Sequence, residues 1–145
     1  LFGWGLAFYR IPEAVARFLL GFAGGSHFMI YLMITVIVLL AGMFMETASA
    51  LIVLTPVLLP TIVQTGGNLL HFGVVLVVGL AIGMATPPVA INIYVAGAIS
   101  GLSMEQICRP IIPMVLVLIG VLLLATYFPS TILLLPSLVW GAGGV

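Results

Sequence analysis

The 145-residue sequence has no aspartate and no lysine, and its arginines, glutamates and histidines are few: Arg10, Arg17, Arg109, Glu13, Glu46, Glu105, His27 and His71. Charged residues make up 4% of the chain, against about a quarter in soluble domains, so most of its surface is not built to face water. With a formal net charge of +0 there is no basic face for a nucleic-acid partner. Cys108 stands alone, which excludes an intrachain disulfide and a cysteine metal site. Without Asp there can be no aspartyl dyad, and two distant histidines supply neither a zinc centre nor a deep base for a serine nucleophile. No catalytic residue is expected, and the chain is not expected to be an enzyme. An initiator Met and a signal-peptide pattern are missing too, since Leu1 opens inside an apolar stretch; the expectation is a portion of a longer polypeptide.

What is abundant is apolar surface. Hydrophobic residues account for 64% of the chain and the mean hydropathy is +1.48. That composition predicts an all-α integral membrane protein embedded in a lipid bilayer. Residues 10–22 hold Arg10, Glu13 and Arg17 on one side and Val15, Phe18 and Leu19 on a helical spacing, the pattern of an amphipathic interfacial arm helix. Residues 102–110, with Glu105 and Arg109, predict a second interfacial helix, and 111–128 a plain transmembrane span anchored by Tyr127 and Phe128.

Between these lie two interrupted segments. The apolar run from Phe28 to Gly42 gives way at Met43-Phe44-Met45-Glu46-Thr47 and resumes from Ala48 to Val63. A bilayer core needs about 20 helical residues, so each run falls short alone and both together are too long for one span. Residues 27–64 are therefore predicted to form a re-entrant hairpin with Glu46 at its tip, facing protein or a cavity and not lipid. Residues 71–101 predict one discontinuous helix. Pro87 and Pro88 interrupt it in mid-span, and Thr86 is placed to cap its second half. The spacings Gly21-x-x-x-Gly25, Gly79-x-x-x-Gly83 and Gly97-x-x-x-Gly101 allow close helix approach, above all beside the break.

A helix that stops in mid-membrane leaves carbonyls at one end and N–H groups at the next. Carbonyls suit a hard cation such as sodium, and the positive N-terminal end suits a carboxylate. The candidate cation ligands are Gly42, Met43, Met45, Gly83 and Ala85, mostly through backbone carbonyls, with Thr86 adding a hydroxyl. Candidate substrate contacts are Ala48, Ser49, Val89 and Ala90 through their amides, together with Thr86 and Asn92. Pro87 and Pro88 are structural. Glu46 has two readings from sequence, a cap on the second hairpin helix or a participant near the cation site. His27 and His71, at the two ends of the hairpin, read as solvated residues at the aqueous boundary.

These blocks resemble the large membrane subunit of tripartite ATP-independent periplasmic (TRAP) transporters. The resemblance rests on Gly42-Met43-Phe44-Met45-Glu46 with Ala48, on Pro56-Val57-Leu58-Leu59-Pro60, and on Gly66-Gly67 through His71-Phe72-Gly73-Val74. It continues in Ile82-Gly83-Met84-Ala85-Thr86-Pro87-Pro88-Val89, Ile112-Pro113 and Thr126-Tyr127-Phe128-Pro129. Ala90 and Asn68 depart from it, standing where the family usually has Gly and Asp. The resemblance implies the second inverted repeat of a sodium-coupled, elevator-type importer of organic acids in the bacterial inner membrane. Its implied partners are the N-terminal half of the same subunit, a small membrane subunit and a periplasmic substrate-binding protein. It implies no cofactor beyond sodium as coupling ion. It also puts the open end of the hairpin, with Arg10 and Arg17, on the periplasmic side, against the positive-inside preference. The residues themselves leave open a divalent-anion/sodium symporter without a binding protein, or a non-transporting scaffold subunit.

Overall fold

The computed structural model describes residues 11–87 and 91–140. Over these the chain is helical: α1 (Ile11–Ala23), α2 (His27–Phe44), α3 (Thr47–Gln64), α4 (Leu69–Met84), α5 (Ile91–Ser100), α6 (Met104–Tyr127) and α7 (Pro129–Trp140). Helix α1 ends where Gly24 and Gly25 take positive φ values of 56° and 77°, a conformation open mainly to glycine. Its Ala16, Leu19 and Ala23 are buried against the hairpin, chiefly α3, while Phe18 and Phe22 stay exposed. Its one ion pair, Glu13–Arg17 at 4.0 Å with both side chains largely exposed, adds little.

Helices α2 and α3 form a helical hairpin. Tyr31, near the start of α2, sits against Gly67 just beyond the end of α3, so the two arms run antiparallel. Each arm is 18 residues long, longer than the apolar runs alone. Length and composition would thus let either cross a membrane, as they would α6, so the expectation that each arm falls short is corrected. The extra length comes from His27, Met43 and Phe44 on one arm and Thr47 and Gln64 on the other, which continue their helices into the polar ends.

Helix α4 packs on α2 more extensively than any other pair, and in parallel. The Tyr31 and His71 rings lie 5.2 Å apart at one end, Gly79 meets Val38 midway, and Gly83 meets Gly42 at the other. Of the three glycine spacings, Gly79/Gly83 and Gly97 lie at helix contacts, whereas a side chain at Gly21 or Gly25 would meet nothing within 4 Å. The α2–α4 core comprises Ile30, Ile34, Val38, Phe72, Leu76 and Leu80.

Helix α6 corrects a second expectation. The segments 102–110 and 111–128 are not separate, because one 24-residue helix runs from Met104 to Tyr127 through Pro110 and Pro113. Ser103 and Gln106 form a capping box at its start. Ile107, Ile111, Val115, Ile119, Leu122 and Thr126 then fall on one helical stripe, each buried or partly buried. That stripe continues across both prolines, and its packing outweighs the two lost backbone donors. Helix α6 lies antiparallel to α4 and to α5. Leu122 lies near Gly79 of α4, Val115 shares a cavity with Thr86 and Pro87 just beyond α4, and Ile107 packs with Ile93 of α5.

Candidate functional site at the hairpin tip

Three helix ends meet at one point. The C-terminal ends of α2 and α4 touch backbone to backbone: a methyl on Gly42 would lie 2.6 Å from the Leu80 carbonyl oxygen, and one on Gly83 would lie 2.7 Å from the Gly42 Cα. Only glycine permits that approach at both positions. The first residue of α3 closes the junction, since the Thr47 hydroxyl donates to the Met84 sulfur at 2.7 Å. Nothing in the spacing of residues 47 and 84 announces this contact.

The carbonyl balance follows from sequence and geometry together. In α4, the carbonyl of Met84 would be served by the N–H of residue 87 or 88, and both are prolines. The Gly83 carbonyl accepts from Thr86 N–H at 2.9 Å and also faces the Ala85 N–H. In α2, Met45 N–H donates to Ala41 at 2.9 Å, after which the chain turns extended at Met45 and Glu46. Among the described residues no backbone N–H is bonded to the carbonyls of Gly42, Met43 or Phe44. Thr86 donates its hydroxyl proton to the Ile82 carbonyl at 2.8 Å, which closes α4 and leaves lone pairs on Oγ1. Its expected cap on the second half of the broken helix concerns residues 88–90, so Pro88, Val89 and Ala90 lie outside the described residues.

Glu46 is the N-cap of α3. Its carboxylate accepts from Ala48 N–H at 2.9 Å, from Ser49 N–H at 3.1 Å and from the Ser49 hydroxyl at 3.3 Å. Of the two readings, the cap is the one the structure forms. It also corrects the assignment of Ala48 and Ser49, whose amides are already occupied; a bound carboxylate would have to displace Glu46. Asn92 is exposed on α5 and is not gathered into the junction. Gly42 and Gly83 are buried there, while Met43, Met45, Ala85, Thr86 and Pro87 are half-buried. Thr86 and Pro87 share a shallow cavity of about 300 Å³ with Ile112, Val115, Leu116 and Ile119 of α6.

His71 departs from its expected solvated state. It is 2% exposed, and its Nε2 lies 3.0 Å from the Ala125 carbonyl, tying the start of α4 to the end of α6. The apolar stretch around it concealed this. His27 is exposed as expected.

A helical hairpin whose tip meets the end of α4, in a scaffold this apolar, defines a multi-pass membrane protein. The comparisons with known proteins give the family. Residues 1–131 match the model of the tripartite ATP-independent periplasmic transporter, DctM component, and the chain belongs to that family, one of permeases and not of enzymes. It is 38% identical over 130 residues to the isethionate TRAP transporter permease protein DctMQ of Oleidesulfovibrio alaskensis, covering 90% of this chain and 20% of that protein. It is 35% identical over 138 residues to the C4-dicarboxylate TRAP transporter large permease protein DctM of Rhodobacter capsulatus, covering 95% of this chain and 31% of that one. With the sialic acid TRAP transporter large permease protein SiaM of Vibrio cholerae the identity is 32% over 143 residues, covering 99% and 33%. The chain thus spans a fifth to a third of the length of these relatives. Membership places it among multi-pass proteins of the inner membrane.

Proposed function

We propose that this chain forms the second-repeat, ion-binding part of a sodium-coupled importer of organic acids. In that reading the hairpin is re-entrant and its tip lies at the bilayer midplane. One observation carries it: the break after α4 is level with the middle of α6. Val115, which lines one cavity with Thr86 and Pro87, is near the centre of a helix running from Met104 to Tyr127. That helix is about 36 Å long at 1.5 Å per residue, enough to cross the hydrocarbon core. If α6 spans the membrane, the carbonyls at the junction sit at mid-depth, where orphaned backbone is tolerated only against protein, water or an ion.

The donor set fits a small hard cation. Gly42, Met43 and Met45 offer carbonyls from one side, Gly83 and Ala85 from the other, and Thr86 offers a hydroxyl oxygen whose proton is turned away. The carbonyls of Phe44 and Met84, at the same two helix ends, belong to the same candidate set. The carboxylate substrate belongs near Thr86 and the amides of Val89 and Ala90, with Asn92 farther along. The opposing ligands would come from the N-terminal half, and a periplasmic binding protein and small membrane subunit would complete the importer. The relatives' names, for isethionate, C4-dicarboxylates and sialic acid, support small acids as the substrate class.

The test uses the full-length transporter in proteoliposomes. Thr86→Ala should raise the sodium concentration for half-maximal uptake, with Thr86→Ser retaining most of the wild-type dependence. An unchanged sodium dependence in Thr86→Ala, with normal membrane insertion, would reduce Thr86 to a helix cap and remove it from the ion site.

A further inference from the structure

At the end of the bundle opposite the tip, α2, α4 and the corner between α6 and α7 enclose a separate cavity of about 350 Å³. Helix α4, 16 residues long, holds it about 20 Å from the junction. One wall is the stacked pair Phe28–Tyr127, with ring centroids 4.3 Å apart. Tyr31 and His71, 9% and 2% exposed, form the floor.

The polar groups lining this cavity separate into used and unused. The His71 Nε2 faces the Ala125 carbonyl at 3.0 Å, and a carbonyl can only accept, so this nitrogen carries the proton. The Tyr127 hydroxyl donates to the Phe28 carbonyl at 3.3 Å and the Thr126 hydroxyl to the Leu122 carbonyl at 2.7 Å. Asn68 Oδ1 accepts from Leu70 and His71 N–H groups at 2.9 and 3.1 Å, its capping role. What remains is the Asn68 NH₂, which can only donate, the Tyr31 hydroxyl and the His27 ring at the rim. None of these has a side-chain hydrogen bond among the described residues. The Tyr31 hydroxyl sits where a methyl on Gly67 would come within 2.7 Å of it. Hydroxyl and imidazole groups can accept as well as donate, so the Asn68 NH₂, which only donates, is the group here that favours an acceptor ligand.

We infer that this cavity is an oxyanion site. It would take a carboxylate on a small apolar or aromatic body, or the phosphate of a lipid headgroup, with Asn68 and Tyr31 as donors to the charged oxygens. It is distinct from the ion junction and does not depend on the transport reading.

The probe is 4-benzoylbenzoate, a photoreactive aromatic carboxylate, applied to the intact full-length transporter without sodium. Labelled peptides are mapped by mass spectrometry. Label is expected in segments 27–31, 67–71 and 126–129, and the neutral methyl ester should label them far less. Asn68→Asp keeps the capping oxygen but replaces the donor with a negative charge; it should weaken labelling about tenfold or more. Tyr31→Phe, which keeps the ring, should weaken it by a smaller factor. In maltoside micelles, suppression by succinate would identify small acids as occupants, and suppression by phosphatidylglycerol would identify lipid phosphate. Equal labelling by the ester, or undiminished labelling of Asn68→Asp, would overturn the inference. Sodium-dependent uptake, measured separately, stands or falls independently of this result.

Discussion

Replacing Gly42 by alanine tests the junction most directly. The new methyl would lie 2.6 Å from the Leu80 carbonyl oxygen, 3.0 Å from the Leu80 Cα and 3.1 Å from the Gly83 Cα, all backbone atoms. Ordinary contact begins near 3.4 Å, so α2 and α4 must separate locally by about 0.8 Å. No side chain is available to rotate away, and overpacking of this kind costs about 1–3 kcal/mol. The better helix propensity of alanine offsets about 1 kcal/mol, which leaves a net loss of about 0–2 kcal/mol. Gly73→Ala is the internal control, being a helical glycine whose added methyl would meet nothing within 4 Å. It gains the propensity without the clash and should be neutral or slightly stabilising. Thermal unfolding of the full-length transporter in detergent, followed by loss of the monodisperse size-exclusion peak, should place Gly42→Ala below wild type and Gly73→Ala at or above it. Equal midpoints for the two variants would mean that the helices do not meet through their glycines, and the geometry of the ion site would fall with that contact.

Other outcomes follow from the same contacts. Glu46→Gln retains an acceptor for the amides of Ala48 and Ser49 and should keep most uptake, whereas Glu46→Ala should lower both thermal stability and uptake; near-complete loss in the Gln variant with normal insertion would show that the charge itself is needed. Asn68→Ala removes the cap on α4 and should cost about 1 kcal/mol, read as a lower unfolding midpoint that Asn68→Asp does not share. Single cysteines at positions 26 and 64, with Cys108 replaced beforehand, should react from the same membrane face, and labelling from opposite faces would exclude a re-entrant hairpin. The 145 residues expressed alone should give no sodium-dependent uptake in proteoliposomes, while co-expression with the N-terminal part of the subunit should restore it.

The composition alone determined that this is a helical membrane protein. A chain with 4% charged residues cannot solvate its surface, and in lipid the backbone must bond to itself. The interruptions were equally legible: Glu46 divides two apolar runs, and adjacent prolines withdraw the donors that the Met84 carbonyl would need. Those are local effects of residue chemistry, readable without neighbours. Where the expectations failed, the deciding partners were distant in sequence. Pro110 and Pro113 looked like the start of a new span, yet a buried stripe from Ile107 to Thr126, packed on α4 and α5, carries one helix through them. His71 looked like a boundary residue, but Ala125, 54 positions away, draws it into the interior. The pairings of Gly42 with Gly83 and of Thr47 with Met84 depend on α2 and α4 lying parallel and in register. Periodicity fixes which face of a helix is apolar, but the partner that face finds is set only when the whole bundle packs.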